Sequence, residues 1–220
     1  MCLAAHKREF YRWATLVKVK LLLPPRQSRG ISLGCLKLKA SVEEIDYREP
    51  RGLDKSLMLS LTTLEWVRQQ RNLVITGPTG TGKTWLACAL AQQACRNGLS
   101  AFFIRTPQLL GELLGARATG MFQKRLEQLL KFDLLIIDDW GIEPFTQRSQ
   151  NDLLELIDGR VGIHSTIITS QLPMMHWHDA MTDKVVADAM LDRIIHSSYA
   201  IKLHGDSLRP SRQLPLPDRV

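Results

Sequence analysis

The chain has 220 residues, 45% of them hydrophobic, with a formal net charge of +7. This length and apolar share suit one α/β domain with a sizeable core and exclude a disordered or fibrous chain. No apolar run reaches membrane-spanning length, and Lys18 and Lys20 interrupt the stretch from Trp13 to Leu23, which leaves a poor signal peptide.

Charge and cysteine placement narrow the class further. Nine of the 29 basic residues but only one acid, Glu9, lie in residues 1–40. The rest of the chain is near neutral, so the high isoelectric point belongs to an N-terminal arm. Such an arm suits a polyanion such as double-stranded DNA, bound without sequence preference; a merely solvating tail is the alternative. Cys2, Cys35, Cys88 and Cys95 show neither metal spacing nor a disulfide framework. Cys88 and Cys95, seven apart, read as small core residues of a protein in a reducing cytoplasm.

Taken in chain order, residues 1–40 lack periodicity and contain Pro24-Pro25. Pro50-Arg51-Gly52 reads as a turn, and Lys55 to Gln70 as one helix with Leu57, Leu61, Leu64 and Val67 on one side. Strands are expected at Leu73–Thr76, Ala101–Ile104, Leu134–Ile137, Thr166–Thr169 and Tyr199–Leu203. Helices are expected from Thr84 to about Asn97, from Leu109 to about Leu130 with a break near Gly120, at Gln150–Val161 and at Asp183–His196. Strand–helix alternation predicts a parallel sheet covered on both faces, with right-handed crossovers.

Gly77-Pro78-Thr79-Gly80-Thr81-Gly82-Lys83-Thr84 fits the spacing Gly-x4-Gly-Lys-Ser/Thr without a mismatch. An apolar strand precedes it and a helix follows. Glycines permit close approach of backbone N–H groups to an anion, and the helix N-terminus adds its dipole. Lys83 is placed to reach the β- and γ-phosphates, and Thr84 to put its hydroxyl on Mg2+. Leu134–Ile137 leads into Asp138-Asp139 at the carboxyl end of the sheet, where α/β proteins place ligands. Asp138 is the expected second metal-shell residue, and Asp139 the group that polarises an attacking water; a loop start or helix cap is the plainer reading of the pair. Asp138 to Gly141 also fits the GTPase pattern Asp-x-x-Gly. No Asn/Thr-Lys-x-Asp for guanine occurs, so ATP is the expected nucleotide.

The run Asp46-Tyr47-Arg48-Glu49-Pro50-Arg51-Gly52-Leu53-Asp54, the phosphate loop, Asp138-Asp139-Trp140-Gly141, Thr169-Ser170-Gln171-Leu172-Pro173, Asp192-Arg193 and Gly205-Asp206-Ser207-Leu208-Arg209 together resemble the IstB-like helper ATPases of bacterial insertion sequences. These are relatives of the DnaC and DnaA branch of AAA+ proteins, and the likeness spans about residues 36–209. It implies a three-layer P-loop NTPase of the AAA+ type with a parallel five-stranded sheet. It also implies ATP and Mg2+ as cofactors, self-assembly, and work alongside a cognate transposase on DNA in a bacterial cytoplasm. The organisation it suggests is a basic extension over 1–40, a linker and helix over 41–71, an ATPase domain over 72–209 and a tail over 210–220. Residues 1–30 do not match the helical domain that usually opens such proteins, so a truncated or atypical N-terminus is expected.

The resemblance also assigns roles to Gln171 as the first sensor, Arg193 as an arginine finger for a neighbour's ATP, and Arg209 as a phosphate contact. Their plainer readings are a loop-start hydrogen bond for Gln171 and a dipole-favoured helix C-terminus for Arg193. His176-Trp177-His178 reads as a structural loop rather than a metal site, and Trp66 as core rather than an adenine pad. Competing functions are a DnaC-like helicase loader, a small phosphate-loop kinase and a non-hydrolysing remnant. The kinase would need an arginine-rich lid over 140–180, where only Arg148 and Arg160 lie.

Overall fold

The computed structural model describes residues 40–208. The basic arm, the C-terminal tail and Arg209 lie outside these residues. Five strands, β1 (Asn72–Thr76), β2 (Ala101–Arg105), β3 (Leu134–Trp140), β4 (Ser165–Ser170) and β5 (Ser198–Lys202), form one sheet in the order β2-β3-β4-β1-β5. Every neighbouring pair is parallel.

Helices cover both faces of the sheet, making three layers. Because side chains alternate along a strand, Leu73, Ile75, Ile136 and Ile167 point to one face. There they pack with Leu86, Leu90 and Ala94 of α3 (Lys83–Arg96) and with Met58 and Leu61 of α1 (Lys55–Thr62). Val74, Leu135, Ile137 and Ile168 face the other way. They meet α4 (Thr106–Ala118), α5 (Phe122–Leu130), α6 (Gln147–Asp158) and α7 (Lys184–Ile195) through Leu113, Leu126, Leu153, Leu156 and Met190. A strand buried on both faces needs a nearly continuous apolar sequence, which is what Leu134–Ile137 supplies. Cys88 and Cys95 are buried in the α3 packing.

The helices expected from Leu109 and from Gln150 each begin three residues earlier, at Thr106 and Gln147, and the latter ends at Asp158 rather than Val161; two further elements differ in ways that shape the core and the site. The single helix expected over Lys55–Gln70 is broken into α1 and a short α2 (Glu65–Arg68), with Leu64 between them at φ 61°. The Thr62 and Thr63 hydroxyls donate to the Leu59 and Ser60 carbonyls and end α1. The kink buries Leu64 and Trp66 together, and the Trp66 indole donates to the Leu61 carbonyl. Trp66 is therefore core. The second difference is β3, which runs on through Asp138, Asp139 and Trp140. Ile137 pairs with Ile168 and Trp140 with Ser170, so three steps of β3 oppose two of β4. This is a β-bulge, and Asp139 occupies it at φ 60°. Its anchor is Trp140, fully buried against Phe145 and Trp177. Trp177, between the two histidines, is fully buried and donates its indole N–H to the Leu172 carbonyl.

Candidate nucleotide site

The site lies where β1, β3 and β4 end. The loop from Gly77 to Gly82 joins β1 to α3, and Gly82 caps that helix in a left-handed conformation, φ 93°. No side chain caps the helix, and a helix N-terminus of this kind favours an anion. The positive φ favours glycine there, and Arg51 Nη1 lies so close that a Cβ at position 82 would come within 2.8 Å of it. Lys83 is buried and its ammonium donates to the Gly77 and Pro78 carbonyls, 2.7 Å each. Thr81 donates to the Pro78 carbonyl, and Thr79 donates 2.8 Å to Gln171 Oε1 at the end of β4.

Asp138 is 1% exposed. Its Oδ1 accepts from Thr84 Oγ1 at 2.8 Å and from Thr169 Oγ1 at 2.5 Å. Its Oδ2 is buried with no hydrogen-bond partner among the described residues. Such an orphan acceptor is costly unless something else satisfies it. A hydroxyl and a carboxylate in contact, with one carboxylate oxygen unmet, are hard oxygen donors of the kind Mg2+ takes. The residues thus fit that ion.

Strand alternation would point Asp139 away from Asp138. The bulge and the positive φ cancel that, and Asp139 lines the same cavity as Lys83 and Thr84. Aspartate tolerates the left-handed region better than most residues. The Asp139 N–H donates to Thr169 Oγ1 at 3.3 Å. Asp139 Oδ2 accepts from Arg105 Nε at 2.8 Å and Nη2 at 2.7 Å, at the end of β2.

The cavity, about 420 Å3, is lined by Thr79, Gly80, Gly82, Lys83, Thr84, Asp139 and Gln171, and also by Glu44, Asp46, Arg51, Trp85 and Leu208. The sequence expectation omitted this second group, along with Arg105. Asp46, Arg51 and Leu208 do lie in runs that carried the resemblance, but Pro50-Arg51-Gly52 read as an ordinary turn and none of the three received a role. Arg193 is elsewhere, in the last turn of α7, donating to Asp158 Oδ1 at 2.5 Å and to the Ala189 carbonyl. It does not line the cavity.

Comparisons with known proteins agree with this architecture. The DnaI crystal structure superposes with a TM-score of 0.66 at 22% identity, over 75% of this chain and 91% of that one. AMPPCP-bound DnaA from Aquifex aeolicus gives 0.64 at 19%, over 78% of this chain and 52% of that one. The DnaC helicase loader gives 0.60 at 20%, over 74% and 96%. At these identities the likeness establishes the fold alone, a three-layer α/β sandwich on a parallel five-stranded sheet. Among curated sequences, a protein of Sinorhizobium fredii named as an insertion-sequence ATP-binding protein is 44% identical over 81% of this chain and 73% of its own length. One of Bacillus thuringiensis, named for insertion sequence IS232, is 31% identical over 81% and 72%. The family model described as IstB-like ATP binding protein matches residues 24–214. The chain belongs to the IstB-like ATP-binding protein family.

Proposed function

We propose that the protein is an ATPase that assembles on double-stranded DNA and assists the transposase of an insertion sequence. The observation that carries the hydrolytic part is the Thr84–Asp138 contact with a buried, unmatched Asp138 Oδ2 beside the phosphate loop. On this reading Gly77, Pro78, Thr79, Gly80, Thr81 and Gly82 present backbone N–H groups to the phosphates. Lys83 exchanges its carbonyl partners for phosphate oxygens. Thr84 and Asp138 hold Mg2+, which offsets charge on the β- and γ-phosphates when bound. Asp139 takes the proton of the attacking water, and Gln171 orients that water from the end of β4. Arg193, outside the cavity of its own chain, serves a neighbouring subunit's site, which makes self-assembly part of the mechanism.

The DNA and transposase part rests on the insertion-sequence names of the relatives and on the nine basic residues before position 41. The same relatives favour transposition over helicase loading, since the loader likeness is one of fold. Two experiments test the proposal. Asp139→Asn should retain binding of a fluorescent ATP analogue and stop phosphate release; unimpaired release removes Asp139 from the base role. Affinity for random duplex should fall steeply with salt, and deleting residues 1–35 should flatten that slope. An unchanged slope moves the DNA surface onto the ATPase body.

A further inference from the structure

Two buried arginines of this protein are treated very differently by their surroundings. Arg160 is 1% exposed, and each of its three nitrogens has an acceptor: Thr166 Oγ1 for Nε, the Leu129 carbonyl for Nη1 and the Ser165 carbonyl for Nη2. It is a finished structural group. Arg51 is 6% exposed and is not finished. Its Nη1 donates to the Thr81 carbonyl in the phosphate loop at 3.2 Å and its Nη2 to the Asp46 carbonyl at 3.1 Å. Its Nε is buried and has no acceptor among the described residues. A guanidinium has five N–H donors, and two carbonyls leave this one short of hydrogen-bond acceptors. Burial pushes its proton affinity down, with Asp46 and Glu49 offsetting part of that cost.

The position of Arg51 says what would answer that charge. Arg51 lines the same cavity as Lys83 and Thr84, and its Nη1 sits against Gly82, the residue that opens α3. Its own carbonyl accepts from the His204 N–H, and four residues on, the Leu208 N–H donates to the Gly80 carbonyl. Ser207 packs so closely on Gly80 that a Cβ there would strike it. One side chain thus touches the phosphate loop while its backbone holds the segment that lies over it.

We infer that Arg51 is a phosphate-binding residue of this site, a second cation beside Lys83, whose contact with the bound nucleotide also fastens the segments 46–52 and 203–208 onto the phosphate loop. This rests on the nucleotide-site reading above and adds a residue that the loop motif does not contain. Charge-assisted hydrogen bonds of this kind change affinity by about 10–100-fold.

The test compares Arg51→Met and Arg51→Lys with Lys83→Ala in the full chain. Dissociation constants for MgADP and for inorganic pyrophosphate are read by displacement of a fluorescent ADP analogue, alongside thermal unfolding without nucleotide. Arg51→Met should weaken ADP and pyrophosphate by the same factor, in the range above, and Arg51→Lys should recover part of it. Amide hydrogen exchange at His204 and Leu208 should slow when wild type binds ADP, and should not slow in Arg51→Met at saturating ADP. If ADP weakens while pyrophosphate does not, Arg51 contacts the nucleoside and the inference is wrong. It is equally wrong if both affinities hold while only the unliganded unfolding temperature falls. Should Arg51→Met fail to fold, Arg51→Lys decides alone: unchanged affinities and unchanged exchange protection overturn the inference. If Lys83→Ala binds ADP like wild type, it is the nucleotide site itself that fails; loss in Lys83→Ala with retention in Arg51→Met defeats only the role of Arg51.

Discussion

The phosphate-loop end of the sheet and the α6–α7 face hold their charged groups in opposite ways. At the loop, Lys83 and Asp138 are buried and hydrogen-bonded to groups fixed by β1, β3, β4 and α3. On the α6–α7 face, Arg193 and Asp158 meet in an ion pair whose side chains are 35% and 59% exposed. A pair this open contributes at most about 1 kcal/mol and is readily exchanged for another partner. A buried group gives up its partners only when another polar group, such as a phosphate, takes their place. The first region draws its contacts from four elements of one chain, whereas the second is a single open ion pair, which under the proposal above would be free to turn to a neighbour.

The sharpest way to break that comparison is at its buried end. Lys83→Ala should abolish ATP binding, measured with a fluorescent analogue, because the loop loses its own side-chain charge on the phosphates. Retained binding would mean that the first region is not the nucleotide site. Next in size comes Arg193→Ala, which should keep ATP binding and lower the assembled, DNA-stimulated rate by about 10^3–10^5-fold. That is roughly 4–7 kcal/mol of barrier. Mixing it with Lys83→Ala should restore some activity, since one protein supplies the arginine and the other the loaded site. A mixture that co-assembles and stays inactive would return Arg193 to a purely local role.

A third variant separates buried from exposed arginines on the same side of the molecule. Arg160, just beyond α6, has its pKa pushed down to about 10 by burial and holds three acceptors. Arg160→Ala strands two buried carbonyls and should cost about 3 kcal/mol in denaturant unfolding. Asp158→Asn, by contrast, should cost less than about 1 kcal/mol. Comparable losses would erase the distinction.

The smallest effect concerns pH. Burial, and then the nearby Arg160, lower the His164 pKa below its usual 6.5. Protonation is therefore harder in the folded chain than in the unfolded one. The contribution of the neutral ring is full above pH 6.5 and is lost as pH falls from there towards the folded value. Between pH 8 and 5 the unfolding temperature of wild type should drop slightly more than that of His164→Gln. Parallel curves would remove His164 from the acid response.

Much of the architecture is legible in the sequence. The apolar runs Leu73–Ile75 and Leu134–Ile137 marked strands buried on both faces, and Gly120, at φ 70°, broke the long helical pattern into α4 and α5. The loop motif marked the site because its spacing is dictated by local backbone geometry. The kink at Leu64 was not legible. The side-chain pattern of Lys55–Gln70 is periodic, and the bend combines the Thr62 and Thr63 hydroxyl contacts with the burial of Leu64 and Trp66. Nor was the bulge at Asp139, which depends on how β3 aligns with β4 and on the burial of Trp140.

By itself, then, the sequence determined those features that span a few consecutive residues: the strand–loop–helix of the phosphate site, the adjacent acids and the alternation of elements. These follow from local backbone preference and hydrophobic period. Tertiary structure alone decided that Asp139 lines the cavity while Asp138 lies buried against Thr84, that Arg105 meets Asp139 across 34 residues, and that Arg51 reaches the phosphate loop across 30. It also decided that Arg193 lies away from its own chain's cavity. Contacts between distant segments arise from how sheet order and packing bring strand ends together, and no short stretch of sequence encodes that geometry.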